Sequence, residues 1–288
     1  MALRRIEMPP RLAKRPADSN KGMFGSILVI AGSRGMAGAA ALVGASALRS
    51  GAGRVVIAAP SEVQPTIAQY EPSYMTWPLP QDDEGKIAFA EARRYLETLA
   101  EKATIVAIGP GLGQSDDIKS LIQWVVGTLK LPTVLDADAL NALVGHLDVL
   151  NSPTPLVLTP HPAEFARLIG KTVAEVQADR EALAAAFARD HNVVIALKGT
   201  GTIVTDGERV YVNTTGNPGM ATSGSGDVLT GVIAAMMGQG LPAFEAACVG
   251  TYAHGLAGDI AKDQNGEVGM IAGDIVDSLA DTFVHLDY

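Results

Sequence analysis

A polar, glycine-rich segment at residues 213–227 leads directly into an apolar segment at residues 228–237. The apolar segment predicts a helix, and Gly224, Ser225 and Gly226 would lie in its first turn. Amide groups in a first turn have no partner within the helix, and the helix dipole favours negative charge beside them. Glycine also lets a phosphate group approach the backbone closely. These residue types at this spacing predict an anion hole.

Asp227 would place a carboxylate beside the same amides. Such a carboxylate can accept the proton of a hydroxyl group while the amides hold a transferring phosphoryl group. An acidic residue at a helix start can also be no more than a cap. The loop before it is long and consists mainly of Gly, Ser, Thr and Asn, which is typical of a ligand-binding loop. We therefore predict phosphate chemistry on an alcohol, with Asp227 as the base.

The elements that would hold this segment alternate between strands and helices. Continuous apolar runs at residues 26–31, 104–108 and 193–197 predict strands that are buried on both faces. Helical patterns lie between such runs, including one long helix expected at residues 173–189. A hairpin is expected at residues 203–212. The alternation predicts an α/β fold with a mainly parallel central sheet and helices on both faces.

Polar or glycine-rich clusters occur where six of the predicted strands end. In a parallel sheet these ends share one edge, and ligands bind beyond it. One such cluster is weak support for a site, but six are difficult to explain by packing alone. The cluster at residues 32–38 is neither a Walker A loop nor a Gly-x-Gly-x-x-Gly dinucleotide fingerprint, and its glycines can also serve close packing of a helix on a strand. The clusters are residues 32–38, 109–113, 136–141, 159–164, 198–202 and 213–227.

Length and composition fit one large domain. Apolar residues make up 48% of the 288 residues and aromatic residues only 5%, which favours close packing of helices on a sheet. Residues 1–22 are rich in Pro and charge and are expected to form an arm or a poorly ordered lead-in, followed by one domain at residues 23–288. The single cysteine, Cys248, excludes an internal disulfide, fits the reducing cytoplasm and is expected to be buried.

The net charge of −9 argues against nucleic acid as a partner. Anionic substrates would have to be held by local amide donors and a few cations. The basic residues 1–5 are not followed by an apolar stretch, so no signal peptide is expected. No run of 18 apolar residues occurs, so no membrane segment is expected.

Several of these clusters together resemble the ribokinase-like superfamily and, within it, the ADP-dependent (S)-NAD(P)H-hydrate dehydratases. The sequences Thr-Pro-His-Pro-Ala-Glu at residues 159–164 and Gly-Pro-Gly-Leu-Gly at residues 109–113 are the most specific matches. Gly-Ser-Gly-Asp at residues 224–227 is shared with many small-molecule kinases. Further matches lie at residues 21–25, 31–33, 36–40, 135–141 and 198–202. The resemblance implies a three-layer sandwich.

The resemblance also implies a reaction and roles for residues. A lyase of metabolite repair would use ADP to phosphorylate the hydroxyl of the S epimer of hydrated NADH or NADPH, and loss of phosphate would give NADH or NADPH, with AMP as the second product. Asp227 would be the base, and Gly224, Ser225 and Gly226 the anion hole. The residues implied for nucleotide binding are Lys198, Gly199, Thr200, Gly201, Thr202 and Gly226. Those implied for the hydrate pocket are Ala39, Ala40, Gly113 and His161, beside Asp227.

Cofactor and partners follow from the same resemblance. Mg²⁺ is implied, with Glu164 as a ligand through water. A homotetramer in the cytoplasm is implied as well. Some relatives begin with an epimerase domain, for which this chain has no room, so it would act on one epimer or depend on a separate epimerase.

Other polar residues have structural explanations at this stage. Asp136 and Asp138 can simply cap the next helix, and His161 can be a neutral histidine at a helix start. Asp259 and Asp263 are expected on a solvated helix face. The remaining histidines have no zinc-ligand spacing; they are His146, His191, His254 and His285.

Two other functions use the same residues. A kinase for a small alcohol, such as a hydroxymethylpyrimidine or a thiazole alcohol, would need the same base and anion hole. A nucleotide-binding regulator without turnover would need only the anion-binding loops.

Overall fold

A computed structural model describes residues 3–286, and a single sheet of ten strands runs through them. The strands are β1 (Arg4–Ile6), β2 (Ser26–Ile30), β3 (Arg54–Pro60), β4 (Met75–Leu79), β5 (Ile105–Ile108), β6 (Thr133–Leu135), β7 (Leu156–Leu158), β8 (Val194–Leu197), β9 (Ile203–Thr205) and β10 (Arg209–Val212). Their order is β1-β10-β9-β8-β7-β6-β5-β2-β3-β4. Within the described residues, β9 is the strand that runs antiparallel to its neighbours.

Helices cover both faces of the sheet. They are α1 (Ala37–Arg49), α2 (Gln64–Ala68), α3 (Phe89–Ala100), α4 (Asp116–Thr128), α5 (Asp138–Ala142), α6 (Pro162–Ile169), α7 (Val173–Ala178), α8 (Arg180–His191), α9 (Ser225–Gly238), α10 (Ala243–Asn265) and α11 (Ala272–His285). Short 3₁₀ helices lie at Lys21–Phe24, Leu147–Leu150 and Pro218–Met220. No helix among residues 3–286 has the length and apolar character to cross a membrane.

Alternation along the strands explains the two cores. In β2, Leu28 and Ile30 face the core beneath α3, α4 and α6, whereas Ile27 and Val29 face the core beneath α1, α9 and α10. Successive side chains of a strand point to opposite faces of a sheet. Because both faces are covered by helices, all four side chains are buried, as the continuous apolar run predicts.

Helix α9 lies between α1, α10 and the sheet, and its N-terminus is therefore fixed from several sides. Gly231 permits α9 to approach α1 closely, because a Cβ at this position would clash with the Ser46 side chain and the Val43 carbonyl of α1. On the other side, a Cβ at Gly250 would lie 2.7 Å from the Ile233 side chain. Glycine at these contacts sets the distance between the helix axes.

The main differences from the sequence expectation are in irregular segments. The expected long helix at residues 173–189 is wrong: Asp179 (φ −149°, ψ 56°) separates α7 from α8. The proposed boundary of an arm at residue 22 stays a prediction, but the arm contributes β1, which pairs in parallel with β10. Residues 1 and 2 of that arm lie outside the described residues.

The α1–α9 contact gives a test of stability. Gly231→Ala should lower the free energy of unfolding by about 1–3 kcal/mol, because the added methyl group overpacks the contact. Gly127→Ala in α4 is the matched control, since nothing lies within 4 Å of a Cβ there; it should raise stability by about 0.5–1 kcal/mol. Denaturant unfolding measures both changes. Equal effects of the two substitutions would contradict the packing argument.

Candidate active site

Loops at the carboxyl edge of the sheet contact one another directly. The Gly32 amide donates to the Pro110 carbonyl at 2.9 Å, and the Ser33 hydroxyl donates to the Gly111 carbonyl at 2.8 Å. The Lys198 amide donates to the Pro160 carbonyl at 2.8 Å. Direct contacts thus join the predicted cluster at residues 32–38 to that at 109–113, and the cluster at 159–164 to that at 198–202.

The start of α9 provides the predicted amide donors. Gly224 precedes the helix with φ +89°, a left-handed conformation that favours glycine, and no side chain caps the helix. Within residues 3–286, the amides of Gly226 and Asp227 have no acceptor. These free donors and the helix dipole together favour an anion at this point. The anion-hole role of Gly224, Ser225 and Gly226 stays a prediction: the free amides support it at Gly226, whereas the Ser225 amide donates to the Thr222 carbonyl at 3.4 Å.

The Asp227 carboxylate lies beside these amides in an environment that disfavours its charge. Burial, followed by the nearby Asp136 carboxylate, raises the pKa of Asp227 to about 7, although the Lys198 ammonium acts in the opposite direction. A carboxylate with a pKa close to neutral pH can take up a proton and release it again under physiological conditions. Asp227 thus has the acidity expected of a general base.

Lys198 and Asp136 form a buried ion pair next to Asp227. The Lys198 ammonium donates to Asp136 Oδ1 at 2.8 Å, and the Thr230 hydroxyl donates to Asp136 Oδ2 at 2.8 Å. Burial lowers the pKa of Lys198, but the carboxylates, led by Asp136, outweigh burial and leave that pKa above its ordinary value. The ammonium is therefore charged. A Cβ at Gly226 would lie 3.1 Å from it, so the cation also borders the start of α9.

Asp136 and Asp138 have roles that differ from the capping considered above. No side chain caps α5. Asp136 pairs with Lys198, and Asp138 Oδ2 accepts the Gly113 amide at 2.8 Å. The expectation of simple helix caps is wrong for both residues. Their actual partners lie many residues away in sequence, and only the strand order brings them together.

His161 and Glu164 begin α6 as a reciprocal capping box. His161 Nδ1 accepts the Glu164 amide at 3.1 Å, and Glu164 Oε2 accepts the His161 amide at 2.8 Å. The imidazole is 46% exposed, whereas the Glu164 carboxylate is buried. Residues 3–286 contain no group of three or more His, Cys, Asp or Glu residues arranged to hold a metal. Roles of His161 in substrate binding and of Glu164 in Mg²⁺ binding stay predictions.

The residues predicted for the hydrate pocket lie along the loops near α1. A Cβ at Gly111 would lie 3.0 Å from the Ala39 side chain, and one at Gly113 would lie 3.2 Å from the Lys86 side chain. Ala40 is fully buried against Gly32. Ala39 thus lies next to the loop that contains Gly113, and Ala40 is packed against Gly32; a shared substrate pocket stays a prediction.

Helix α10 supports the glycine-rich loop from behind. Asp259 accepts the Gly216 amide at 2.9 Å and the Asn217 side-chain amide at 3.0 Å. The expectation that Asp259 lies on a solvated face is therefore wrong. His254 lies one turn earlier, with Nε2 at 2.9 Å from the Ser225 carbonyl. His254 and Gly258, like Gly255 and Asp259, are four residues apart and lie about one turn from each other, but this spacing alone does not indicate a contact with a loop that is remote in sequence.

Comparisons with known proteins identify the family of this chain. A family model described as NAD(P)H-hydrate dehydratase matches residues 27–281. The chain belongs to this family. The bifunctional NAD(P)H-hydrate repair enzyme Nnr of Moorella thermoacetica is 46% identical over 272 residues, which are 93% of this chain and 51% of that protein. This chain thus spans about half the length of that relative.

Two further members of the NAD(P)H-hydrate dehydratase family extend the comparison. The ADP-dependent (S)-NAD(P)H-hydrate dehydratase of Neisseria meningitidis serogroup B is 37% identical over 277 residues, 94% of this chain and 88% of that protein. The crystal structure of the ADP/ATP-dependent NAD(P)H-hydrate dehydratase from Bacillus subtilis, co-crystallised with ATP and Mg²⁺, has a TM-score of 0.83 at 31% identity. The alignment covers 96% of this chain and 95% of that one. The expected ribokinase-like fold and family are confirmed.

His254 gives a test of how the stability of the fold depends on pH. Burial lowers the pKa of His254 from 6.5 to about 4, so between these values the unfolded chain binds a proton that the folded protein does not. Stability is therefore lost as the pH falls, by about 3 kcal/mol from this group. In His254→Gln the loss between about pH 7 and pH 4 should be smaller by this amount, as measured by urea unfolding at each pH. If the free energies of unfolding of the two proteins fell in parallel with pH, burial of a neutral His254 would not be the cause of the loss.

Proposed function

We propose that this chain is a metabolite-repair lyase that uses ADP to dehydrate the S epimer of hydrated NADH or NADPH. The single observation on which the proposal depends is the position of Asp227 beside the free amides at the start of α9 and the Lys198 ammonium. A base for a hydroxyl group and donors for a phosphoryl group are thus adjacent. The names of the relatives supply the substrate.

The reaction needs two steps that these residues support. Asp227 takes the proton of the hydrate hydroxyl while the hydroxyl oxygen bonds to the terminal phosphorus of ADP. The bond between that phosphorus and the oxygen that remains with AMP breaks at the same time. The amides of Gly226 and Asp227 stabilise the charge on the transferring group. The carbon–oxygen bond of the new phosphate ester then breaks and releases inorganic phosphate. The neighbouring ring carbon loses a proton to the departing phosphate or to water, and the double bond of NADH or NADPH forms.

Binding of the nucleotide is proposed at residues 198–202 and Gly226, and binding of the hydrate at Ala39, Ala40, Gly113 and His161. Mg²⁺ would be held by the phosphates, with Glu164 as a ligand through water. The Mg²⁺ proposal is supported by the nucleotide and metal used with the Bacillus subtilis protein. A homotetramer, a cytoplasmic location and a separate epimerase are proposed from the family resemblance.

A direct assay tests the activity. Incubation with hydrated NADH, Mg²⁺ and ADP should restore the absorbance of reduced nicotinamide and release AMP and phosphate in equal amounts. Failure with both ADP and ATP would refute the proposal. A stable phosphorylated product from hydroxymethylpyrimidine or a thiazole alcohol would favour a small-alcohol kinase instead.

Asp227→Asn separates catalysis from binding. Without the base, the turnover number should fall by about 10²-fold to 10⁴-fold, whereas ADP binding measured by calorimetry should change little. Asp263→Asn, on the exposed part of α10, makes the same change of charge and should leave turnover intact. Full activity of Asp227→Asn would exclude Asp227 as the base, and binding of ADP without turnover by the unmodified protein would indicate a regulator.

The pKa of Asp227 predicts the pH profile. Because the ionised carboxylate is the active form, kcat/KM should rise as the pH passes about 7 and then level off. The Asp136 carboxylate raises this pKa, so Asp136→Asn should move the rise to lower pH. Asp263→Asn again serves as the control and should leave the midpoint unchanged. A midpoint that moves to higher pH in Asp136→Asn would contradict the assignment.

A further inference from the structure

Arg180 lies at the first position of α8 because Asp179 interrupts the helix before it. From there its guanidinium reaches the loop that follows β8. One nitrogen, Nη1, donates to the Thr200 carbonyl at 2.8 Å. The other, Nη2, donates to the carbonyls of Leu197 at 3.0 Å and Lys198 at 3.2 Å. One side chain thus holds three carbonyl groups of a single loop.

These contacts determine where the amides of the loop point. In a trans peptide unit the carbonyl and the following N–H lie on opposite sides. With the Lys198 and Thr200 carbonyls turned towards Arg180, the amides of Gly199 and Gly201 point away from it. Neither amide has an acceptor within residues 3–286. Two free amides on the same side of a loop can bind one anion.

The loop conformation depends on this contact. Gly199 and Gly201 have φ values of +135° and +63°, in a region that glycine adopts far more readily than other residues. A Cβ at Gly199 would lie 3.0 Å from Nη2 of Arg180, so the backbone rests directly on the guanidinium. The Thr202 hydroxyl also donates to the Gly199 carbonyl at 3.1 Å, but within residues 3–286 Arg180 is the side chain that holds the Lys198 and Thr200 carbonyls.

The positive charge of Arg180 also favours an anion at this loop. Burial lowers its pKa, but arginine stays charged in proteins. The nearby Lys198 ammonium already pairs with Asp136, and the chain as a whole has a net charge of −9. A cation behind the free amides therefore adds local positive potential for a bound phosphate.

The Arg180 Nε atom is buried and has no acceptor among the described residues. A buried donor without a partner destabilises a fold. The unpaired nitrogen partly offsets what the three hydrogen bonds of the guanidinium contribute to stability, so their clearest effect is on the orientation of the loop.

We propose that Arg180 is a positioning residue that orients the amides of Gly199 and Gly201 to bind the phosphates of a nucleoside diphosphate. This role rests on the nucleotide site proposed above. Arg180 acts through the backbone of the loop.

The test measures ADP binding directly, by calorimetry on the full chain, together with the KM values for ADP and hydrate. Arg180→Met removes the charge and the three hydrogen bonds, and should weaken ADP binding by about tenfold to a hundredfold. Arg180→Lys keeps the charge without the planar fork and should give a smaller loss. The KM for the hydrate should change less than about twofold in both, since the loop does not hold the hydrate.

Arg189→Met is the matched control. Arg189 lies on the same helix and donates to the Gly207 carbonyl at 2.8 Å, in the turn between β9 and β10. It makes the same kind of contact with a loop that has no predicted ligand. Arg189→Met should therefore lower Tm and leave ADP binding unchanged.

The outcomes separate this inference from the proposed activity. If the unmodified chain binds ADP but has no dehydratase activity, the proposed activity is wrong and the binding comparison still tests Arg180. Unchanged ADP binding in Arg180→Met would overturn the inference, as would equal losses in Arg180→Met and Arg189→Met. Absence of ADP binding by the unmodified chain would overturn both. If Arg180→Met does not fold, Arg180→Lys decides: weaker ADP binding with an unchanged hydrate KM supports the role, and unchanged ADP binding overturns it.

Discussion

The buried ion pair between Lys198 and Asp136 connects three elements that must meet for the site to exist. Asp136 follows β6, Lys198 follows β8, and Thr230 binds the same carboxylate from the second turn of α9. Removal of two charges from water costs several kcal/mol for each ion, and mutual attraction often does no more than compensate. The pair is therefore better explained by the positions it fixes than by the stability it adds.

The same pair also sets the chemistry of its neighbour. Burial raises the pKa of Asp227, Asp136 raises it further, and Lys198 opposes both. Without the lysine, the carboxylate would bind its proton more tightly and be a poorer base at neutral pH. Without Asp136, the pKa of Asp227 would be lower. The carboxylate would then be ionised at neutral pH but would have less affinity for the proton of the hydroxyl group. A pKa of about 7 thus results from opposing charges that the sheet places side by side.

The parts of the candidate site that can be proposed from the sequence are local in the chain. Residues 224–227 combine glycine, a hydroxyl side chain and an acid at the start of an apolar helix, and each of these features can be recognised without knowledge of the fold. Asp136, Asp259 and Arg180 could not be assigned in this way, because their partners lie 62, 43 and 20 residues away. For Arg180 the obstacle was also local: an uninterrupted helix at residues 173–189 would not begin at Arg180.

Backbone amides would provide much of the anion binding proposed here, so the orientation of the backbone would determine how well an anion is bound. The chain has more acidic than basic residues, 31 against 22, and the lysine nearest to Asp227 is engaged with Asp136. An amide cannot be reoriented by a change of rotamer; it points where the surrounding backbone directs it. In the proposed site, the affinity for phosphate would therefore be controlled by side chains that hold carbonyls or loops from behind, such as Arg180, His254 and Asp259. Substitutions at such residues would alter ligand binding although their side chains do not contact the ligand.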